Sequence, residues 1–85
     1  MVTGMMWFDD NPKKSLPGKI TDAAIFYARK YGQRPNKCLV NPKALSNGDP
    51  IQVAVFTPGT ETTIEIAAMQ GILPGHMWIG VEVTK

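Results

Sequence analysis

Apolar residues recur with helical spacing in one segment of the chain, between Leu16 and Tyr31. At about 100° per residue they fall on one face, which is the pattern of an amphipathic α-helix. Ser15 precedes the segment as an N-cap, Pro17 suits the first turn, and Gly32 stands where a C-terminal capping glycine belongs. We therefore predict a helix over residues 16–31. Its buried stripe is expected to be Leu16, Ile20, Ala23, Ala24, Tyr27, Ala28 and Tyr31.

Short apolar or alternating segments elsewhere predict β-strands. They cover residues 5–8, 37–40, 51–56, 62–68 and 77–83, and residues 42–45 suit a single helical turn. Turns are expected at residues 9–12 and 47–50, and Pro58-Gly59 and Pro74-Gly75 have the chemistry of type II turns. Residues 62–71 also fit the end of a helix, but the β-branched run from Thr62 to Ile64 favours a strand.

The order of these elements, β-α-β-β-β-β, predicts a single α+β domain over residues 1–85. The simplest architecture is a mostly antiparallel sheet of four or five strands with the amphipathic helix on one face. The strand order stays open, because several topologies satisfy these short connections. One helix covers only one side of such a sheet. The opposite side is predicted to show Gln52, Ala54, Thr63, Glu65, Trp78, Gly80 and Glu82.

The composition is that of an ordinary folded domain, since 44% of the 85 residues are hydrophobic and 19% are charged. No apolar run approaches the ~18–20 residues needed to span a bilayer. The first residues lack the basic and apolar regions of a secretory signal. The single cysteine, Cys38, excludes an intramolecular disulfide framework. These features predict a cytoplasmic protein without a membrane partner.

The net charge of +2 is unevenly distributed along the chain. Residues 11–48 carry eight of the nine basic residues and one acidic residue, whereas the rest of the chain carries six acidic residues and one lysine. Such an asymmetry is typical of an anion-facing surface, or of two copies that pair head to tail.

Five short motifs are distributed over most of the chain. They are Trp7-Phe8-Asp9, Lys30-Tyr31-Gly32, Pro35-Asn36, Cys38-Leu39-Val40-Asn41-Pro42 and Leu73-Pro74-Gly75-His76-Met77-Trp78-Ile79-Gly80-Val81-Glu82. Together they resemble a group of small uncharacterised bacterial and phage proteins. The resemblance implies no activity, but it favours a phage or mobile-element setting over core metabolism.

The predicted uncovered side of the sheet carries one large aromatic residue, Trp78, beside small residues. This combination is typical of a protein-contact anchor. The candidate contact residues are Trp78, Ala54, Gly80 and Gln52. Two alternatives are that the chain ends cover Trp78, or that the strand register is shifted by one and the indole faces the core. The leading hypothesis is a non-enzymatic binding module that docks on another protein chain or on a second copy of itself.

Basic residues in and around the predicted helix give an alternative hypothesis, nucleic-acid or anion binding. Phe26 lies among cations, an arrangement that suits base stacking combined with phosphate contacts. Arg29 and Lys30, however, also complement the helix C-terminus without a ligand. The isoelectric point of 8.9 is just below that of a clearly basic domain. The candidate residues are Lys13, Lys14, Lys19, Phe26, Arg29, Lys30 and Arg34.

A third hypothesis, a metal-dependent enzyme, rests on Asp9, Asp10 and His76. Metal and acid–base sites need several converging ligands, and one histidine without cysteine partners gives no zinc spacing. A turn accounts for the two aspartates, and Cys38 in an apolar strand is expected to be a small buried residue. We therefore expect no enzymatic activity, no metal and no cofactor.

Overall fold

The structure, a computed structural model, describes residues 2–45, 52–57 and 60–82. Its elements, in chain order, are β1 (Val2–Phe8), α1 (Leu16–Tyr31), β2 (Lys37–Val40), a short 3-10 helix (Pro42–Ala44), β3 (Gln52–Thr57), β4 (Thr60–Ala68) and β5 (His76–Glu82). The choice of strand over helix for residues 62–68 is confirmed, because β4 covers this segment. The turn predicted at residues 47–50 and the Pro58-Gly59 turn lie outside the described residues, as do the predicted strand ends at Ile51 and Val83.

Both ends of α1 are fixed by the capping groups that the sequence predicts. The Ser15 Oγ accepts a hydrogen bond from the Gly18 N–H at 3.2 Å. Gly32 has a left-handed φ of 69°, which a glycine adopts without steric cost, and its N–H donates to the Ala28 carbonyl at 2.9 Å. Within the predicted stripe, Tyr31 differs from expectation: it is 45% exposed, and its ring packs on that of Tyr27.

The five strands form one mixed sheet in the order β1-β5-β2-β4-β3. Three of the four strand pairs are antiparallel, and β2 and β4 are parallel. The predicted class, an α+β fold with a mostly antiparallel sheet and one helix packed on it, is confirmed. Of the five described strands, β1 and β3 lie at the two edges.

The core lies between α1 and one face of the sheet. Cys38 is fully buried there, with its Sγ 3.7 Å from the Met77 Sδ. Burial raises the pKa of the Cys38 thiol to about 12, so the group stays protonated and packs as a small apolar residue, as predicted. The core residues are Ile20, Ala23, Ala24, Tyr27, Cys38, Val40, Val55, Ile64, Ile66, Met77 and Ile79.

Trp7 attaches the β1 edge to the helix. Its ring centroid lies 5.2 Å from that of Phe26, with the two rings tilted by 48°. The Trp7 Nε1 is buried and has no hydrogen-bond partner within the described part of the chain. Since side chains alternate along a strand, an inward Trp7 places Met6 and Phe8 on the opposite side of the sheet.

Candidate functional site

The side of the sheet opposite α1, which we call the outer face, is not covered by any element that the structure describes. Strand alternation places there one set of side chains from each strand. Large apolar residues are among them, since Met6 is 52% exposed and Phe8 is 56% exposed. The described outer-face residues are Gly4, Met6, Phe8, Lys37, Leu39, Gln52, Ala54, Glu61, Thr63, Glu65, Ala67, His76, Trp78, Gly80 and Glu82.

An apolar row crosses the outer face perpendicular to the strands. The register places Met6 opposite Trp78, Trp78 opposite Leu39, and Leu39 opposite Ala67, so the row spans β1, β5, β2 and β4. Cross-strand neighbours at these positions are in side-chain contact range. Met6, Trp78, Leu39 and Ala67 therefore form one continuous surface, which we call the apolar row.

The indole of Trp78 extends over β1 because its diagonal neighbour on that strand, Gly4, is a glycine. A Cβ placed on Gly4 would lie 2.3 Å from the Cε2 and Cζ2 atoms of the indole. The ring thus occupies the volume that a side chain at Gly4 would need, which leaves Trp78 half-buried although it points away from the core. The alternative in which a shifted register turns the indole into the core does not hold, because Met77 and Ile79 are the buried β5 residues.

Phe8 and His76 extend the apolar surface at one end of β1 and β5. Their ring centroids are 4.7 Å apart. The preceding turn has Gly75 at φ 78°, and the His76 N–H donates to the Leu73 carbonyl at 3.0 Å, as a type II turn requires. Leu73, in the same turn, is also exposed.

The other end of the outer face is polar. The Lys37 Nζ forms an ion pair with the Glu65 carboxylate and lies 3.7 Å from the Glu82 Oε1. The hydrogen bond to Glu65, followed by the charges of both carboxylates, raises the pKa of Lys37 against an opposing effect of burial. Two carboxylates and one ammonium leave this end with one net negative charge. The cleft between these side chains is also lined by Asn36.

The structure places all four predicted contact residues on the outer face, but not in one cluster. Trp78 and Gly80 are both on β5, whereas Gln52 and Ala54 lie on β3, with β2 and β4 in between. The residues that do adjoin Trp78, namely Met6 and Leu39, were not among the predicted contacts. The signal for them was strand alternation, which is concealed by four consecutive apolar residues in β1 and by three in β2.

The basic residues of the nucleic-acid alternative lie on α1 and its flanking loops. Lys14 is paired with Asp22, and its hydrogen bond to that carboxylate raises the Lys14 pKa. Phe26 packs against Trp7, with the Lys30 Nζ 5.8 Å from the Phe26 ring centroid. Lys13, Arg29 and Arg34 are exposed, and Lys19 is half-buried. Nucleic-acid binding stays a prediction.

The residues of the metal-enzyme alternative have local partners. The Asp9 Oδ1 accepts a hydrogen bond from the Asn11 N–H at 3.0 Å, which is the turn expected from the sequence. The His76 Nδ1 is 3.1 Å from the Pro74 carbonyl oxygen. Across residues 2–45, 52–57 and 60–82, no three His, Cys, Asp or Glu side chains are grouped to hold a metal ion.

Comparison with known proteins gives no relative: the chain matches no family model, no curated protein and no solved structure. Within its described residues, the single helix α1 falls short of the length and hydropathy needed to cross a bilayer. The functional inference therefore rests on the geometry of the outer face.

Proposed function

We propose that this protein is a non-enzymatic binding module that docks on another protein chain through its outer face. The observation that supports this most is the apolar row, in which Met6, Trp78 and Leu39 lie side by side on an uncovered surface. Protein interfaces commonly combine such a central aromatic residue with a polar rim. Here the rim is the group of Lys37 and its two carboxylate partners.

The exposed apolar area gives a favourable free energy for docking. Met6 and Phe8 are each about half exposed, and full burial of such a side chain is worth about 1.5–3 kcal/mol. A partner that covers both therefore gains about 2 kcal/mol from them alone. The rest must come from Trp78 and Leu39, because association itself costs several kcal/mol.

The surface defines the chemistry of the partner. Its central part must be apolar, to match Met6, Trp78 and Leu39. At the Lys37 end, the net negative charge favours a lysine or arginine on the partner, held over Glu65 and Glu82. We propose a protein partner with an apolar patch and a basic residue at one side of it.

The cellular setting belongs to the same proposal. The motif from Leu73 to Glu82 is one of the five that together resemble small bacterial and phage proteins, and it includes Trp78 of the apolar row. This supports a role as an accessory protein of a phage or mobile element, acting in the cytoplasm of the host.

The test compares variants of the outer face with one on the helix side. A partner is captured from host lysate with and without nuclease, purified, and titrated calorimetrically with each variant. We expect Trp78→Ala and Leu39→Ser to weaken binding by about 30-fold or more, as is usual for central interface residues. Phe26→Ser, on the opposite side of the sheet, is the matched control and should bind within about threefold of the original chain.

Two results would contradict the proposal. One is equal affinity of Leu39→Ser and the original chain, with the variant shown to be folded by circular dichroism. The other is capture that nuclease abolishes, with an affinity that falls steeply with salt and falls further in Lys13→Glu, because that dependence indicates phosphate contacts.

A further inference from the structure

Among the strands that the structure describes, β1 lies at an edge of the sheet and has a paired neighbour on one side only, β5. The Asp9 N–H donates to the Gly75 carbonyl at 2.9 Å, which continues the β1–β5 register by one residue. Backbone groups alternate in direction along a strand, so every second residue from Asp9 points toward β5 and the others point outward. The residues whose N–H and C=O groups point outward are Val2, Gly4, Met6 and Phe8.

Nothing in β1 protects this edge from pairing. Natural edge strands are usually blocked by charges, prolines, bulges or short length. Residues 2–8 contain no charged residue and no proline, and the strand pairs with β5 without a bulge over seven residues. The other edge, β3, has one residue fewer, and its described outward side chains, Gln52 and Ala54, are polar or small.

We propose that β1 pairs antiparallel with β1 of a second copy of this chain, about a twofold axis at Met5. This register aligns all seven residues, with Val2 opposite Phe8 and Gly4 opposite Met6, and directs the outward donors of each copy to the acceptors of the other. A twofold axis needs a self-complementary surface. An uncharged strand meets this condition, since no like charges face each other. The two five-stranded sheets then form one sheet of ten strands.

Side chains on the outer face support this register. Gly4 has the indole of Trp78 lying above it, and Met6 of the second copy lies directly opposite Gly4. The exposed Met6 side chain is thus placed beside the indole, where a thioether makes favourable contacts with an aromatic ring. The axis is perpendicular to the sheet, so both outer faces stay on the same side and both apolar rows remain available to a partner.

The pairing is expected to be weak, because seven residues per copy form an interface at the low end of the size range for specific association. We expect a dissociation constant of about micromolar order. Sedimentation equilibrium measures it for the original chain and two variants. Met6→Pro removes an outward N–H from each copy without breaking a bond to β5, and should raise the dissociation constant by about 10- to 100-fold. Met6→Ala keeps the N–H and should raise it by only about threefold.

Hydrogen exchange gives a second readout that does not depend on the variants. The amides of Met5 and Trp7 point toward β5 and should be protected at all concentrations. Those of Gly4 and Met6 should exchange rapidly in dilute protein and become protected as the concentration rises. This exchange pattern tests the β1 pairing even if Met6→Pro does not fold.

Either of two results would overturn this pairing: a chain that stays monomeric up to about 1 mM, far above the expected dissociation constant, or a dimer in which the Met6 amide still exchanges rapidly. Met6 belongs to both the apolar row and the β1 edge, so the variant that separates the two proposals is one outside β1. Leu39→Ser should weaken partner binding and leave dimerisation unchanged, whereas Met6→Pro should separate the copies, so failure of one proposal is distinguishable from failure of the other.

Discussion

At the scale of single residues, the contact between Gly4 and Trp78 determines the shape of the outer face. The indole needs the space above β1, and only a residue without a Cβ leaves that space free. Gly80, opposite Gly4 on β5, is buried and likewise adds no side chain. Gly4 thus provides the space above β1 that the aromatic ring occupies.

Gly4→Ala is predicted to destabilise the protein by about 1–3 kcal/mol, because the new methyl group overlaps the indole and β1 or the ring must shift. The measurement is the free energy of unfolding in urea. In a Trp78→Ala background the same substitution should cost much less, and the difference is the coupling free energy between the two positions. An equal cost in both backgrounds would show that the ring does not lie over Gly4.

Cys38 gives a prediction about alkaline stability. Burial raises the pKa of its thiol to about 12 in the folded protein, whereas in the unfolded chain it ionises near about 8.5. Between these values the unfolded chain releases a proton that the folded protein keeps, so stability falls as pH rises, by at most about 1.4 kcal/mol per pH unit. Below pH of about 8.5 the thiol is protonated in both states and does not change the pH dependence of the free energy of unfolding.

The matched variant for this effect is Cys38→Ala, compared by urea unfolding at a series of pH values. The variant is expected to lose stability less steeply than the original chain above pH of about 8.5. Some decline should persist near pH of about 10, because burial also raises the pKa of Tyr27. Identical slopes for the two proteins would mean that the thiol is accessible to water in the folded state.

At the scale of elements, Asn36 joins three strands at the polar end of the sheet. Its side chain accepts from the Glu82 N–H at 2.8 Å and donates to the Glu82 carbonyl at 3.0 Å. Its backbone N–H donates to the Gly80 carbonyl, and its carbonyl accepts from the Glu65 N–H. The residue therefore fixes the start of β2 between β5 and β4.

Asn36→Ala removes both side-chain bonds and is predicted to lower the free energy of unfolding by about 1–3 kcal/mol, at 0.5–1.5 kcal/mol for each bond. Asn36→Asp is the matched variant, because it keeps the acceptor for the Glu82 N–H and loses the donor. Its free energy of unfolding, measured by thermal or urea unfolding, should lie between those of the original chain and Asn36→Ala. If Asn36→Ala unfolds like the original chain, the two bonds contribute nothing to the stability of the sheet.

The helix was predictable to the residue because its determinants are local. Ser15, Pro17 and Gly32 mark its ends within the sequence itself, and the apolar period marks its buried face. The β-branched residues of β4 were also a sufficient local signal to predict a strand rather than a helix there. By contrast, the parallel pairing of β2 with β4 joins segments 28 positions apart, such as Lys37 and Glu65. Long-range pairings of this kind depend on the whole packing arrangement, so no local pattern predicts them.

The start of β1 was placed too late for a related reason. The strand begins at Val2, three residues before the predicted start, since Gly4 interrupts the apolar run. What holds residues 2–4 in the sheet is their pairing with β5, including Gly4 opposite Gly80. The same run of apolar residues concealed which side chains face outward, so Met6 and Phe8 were missed as part of the candidate site.

At the scale of the whole molecule, the described residues supply one α-helix, which covers one side of the five-stranded sheet, and this arrangement was predictable from the sequence. The uncovered side was expected to show Trp78, and it does. We propose different contacts for two parts of the molecule: the apolar row of the outer face contacts a partner protein, and the backbone of the β1 edge pairs with a second copy.

The most direct test of the uncovered outer face is methionine oxidation by hydrogen peroxide, followed for each residue by mass spectrometry in dilute, monomeric protein. Met6 and Met69 are 52% and 50% exposed, whereas Met77 is 2% exposed. We predict that Met6 oxidises about as fast as Met69 and at least about tenfold faster than Met77. Met6 oxidation as slow as that of Met77 would show that the outer face is already covered within one copy, and would contradict docking through it.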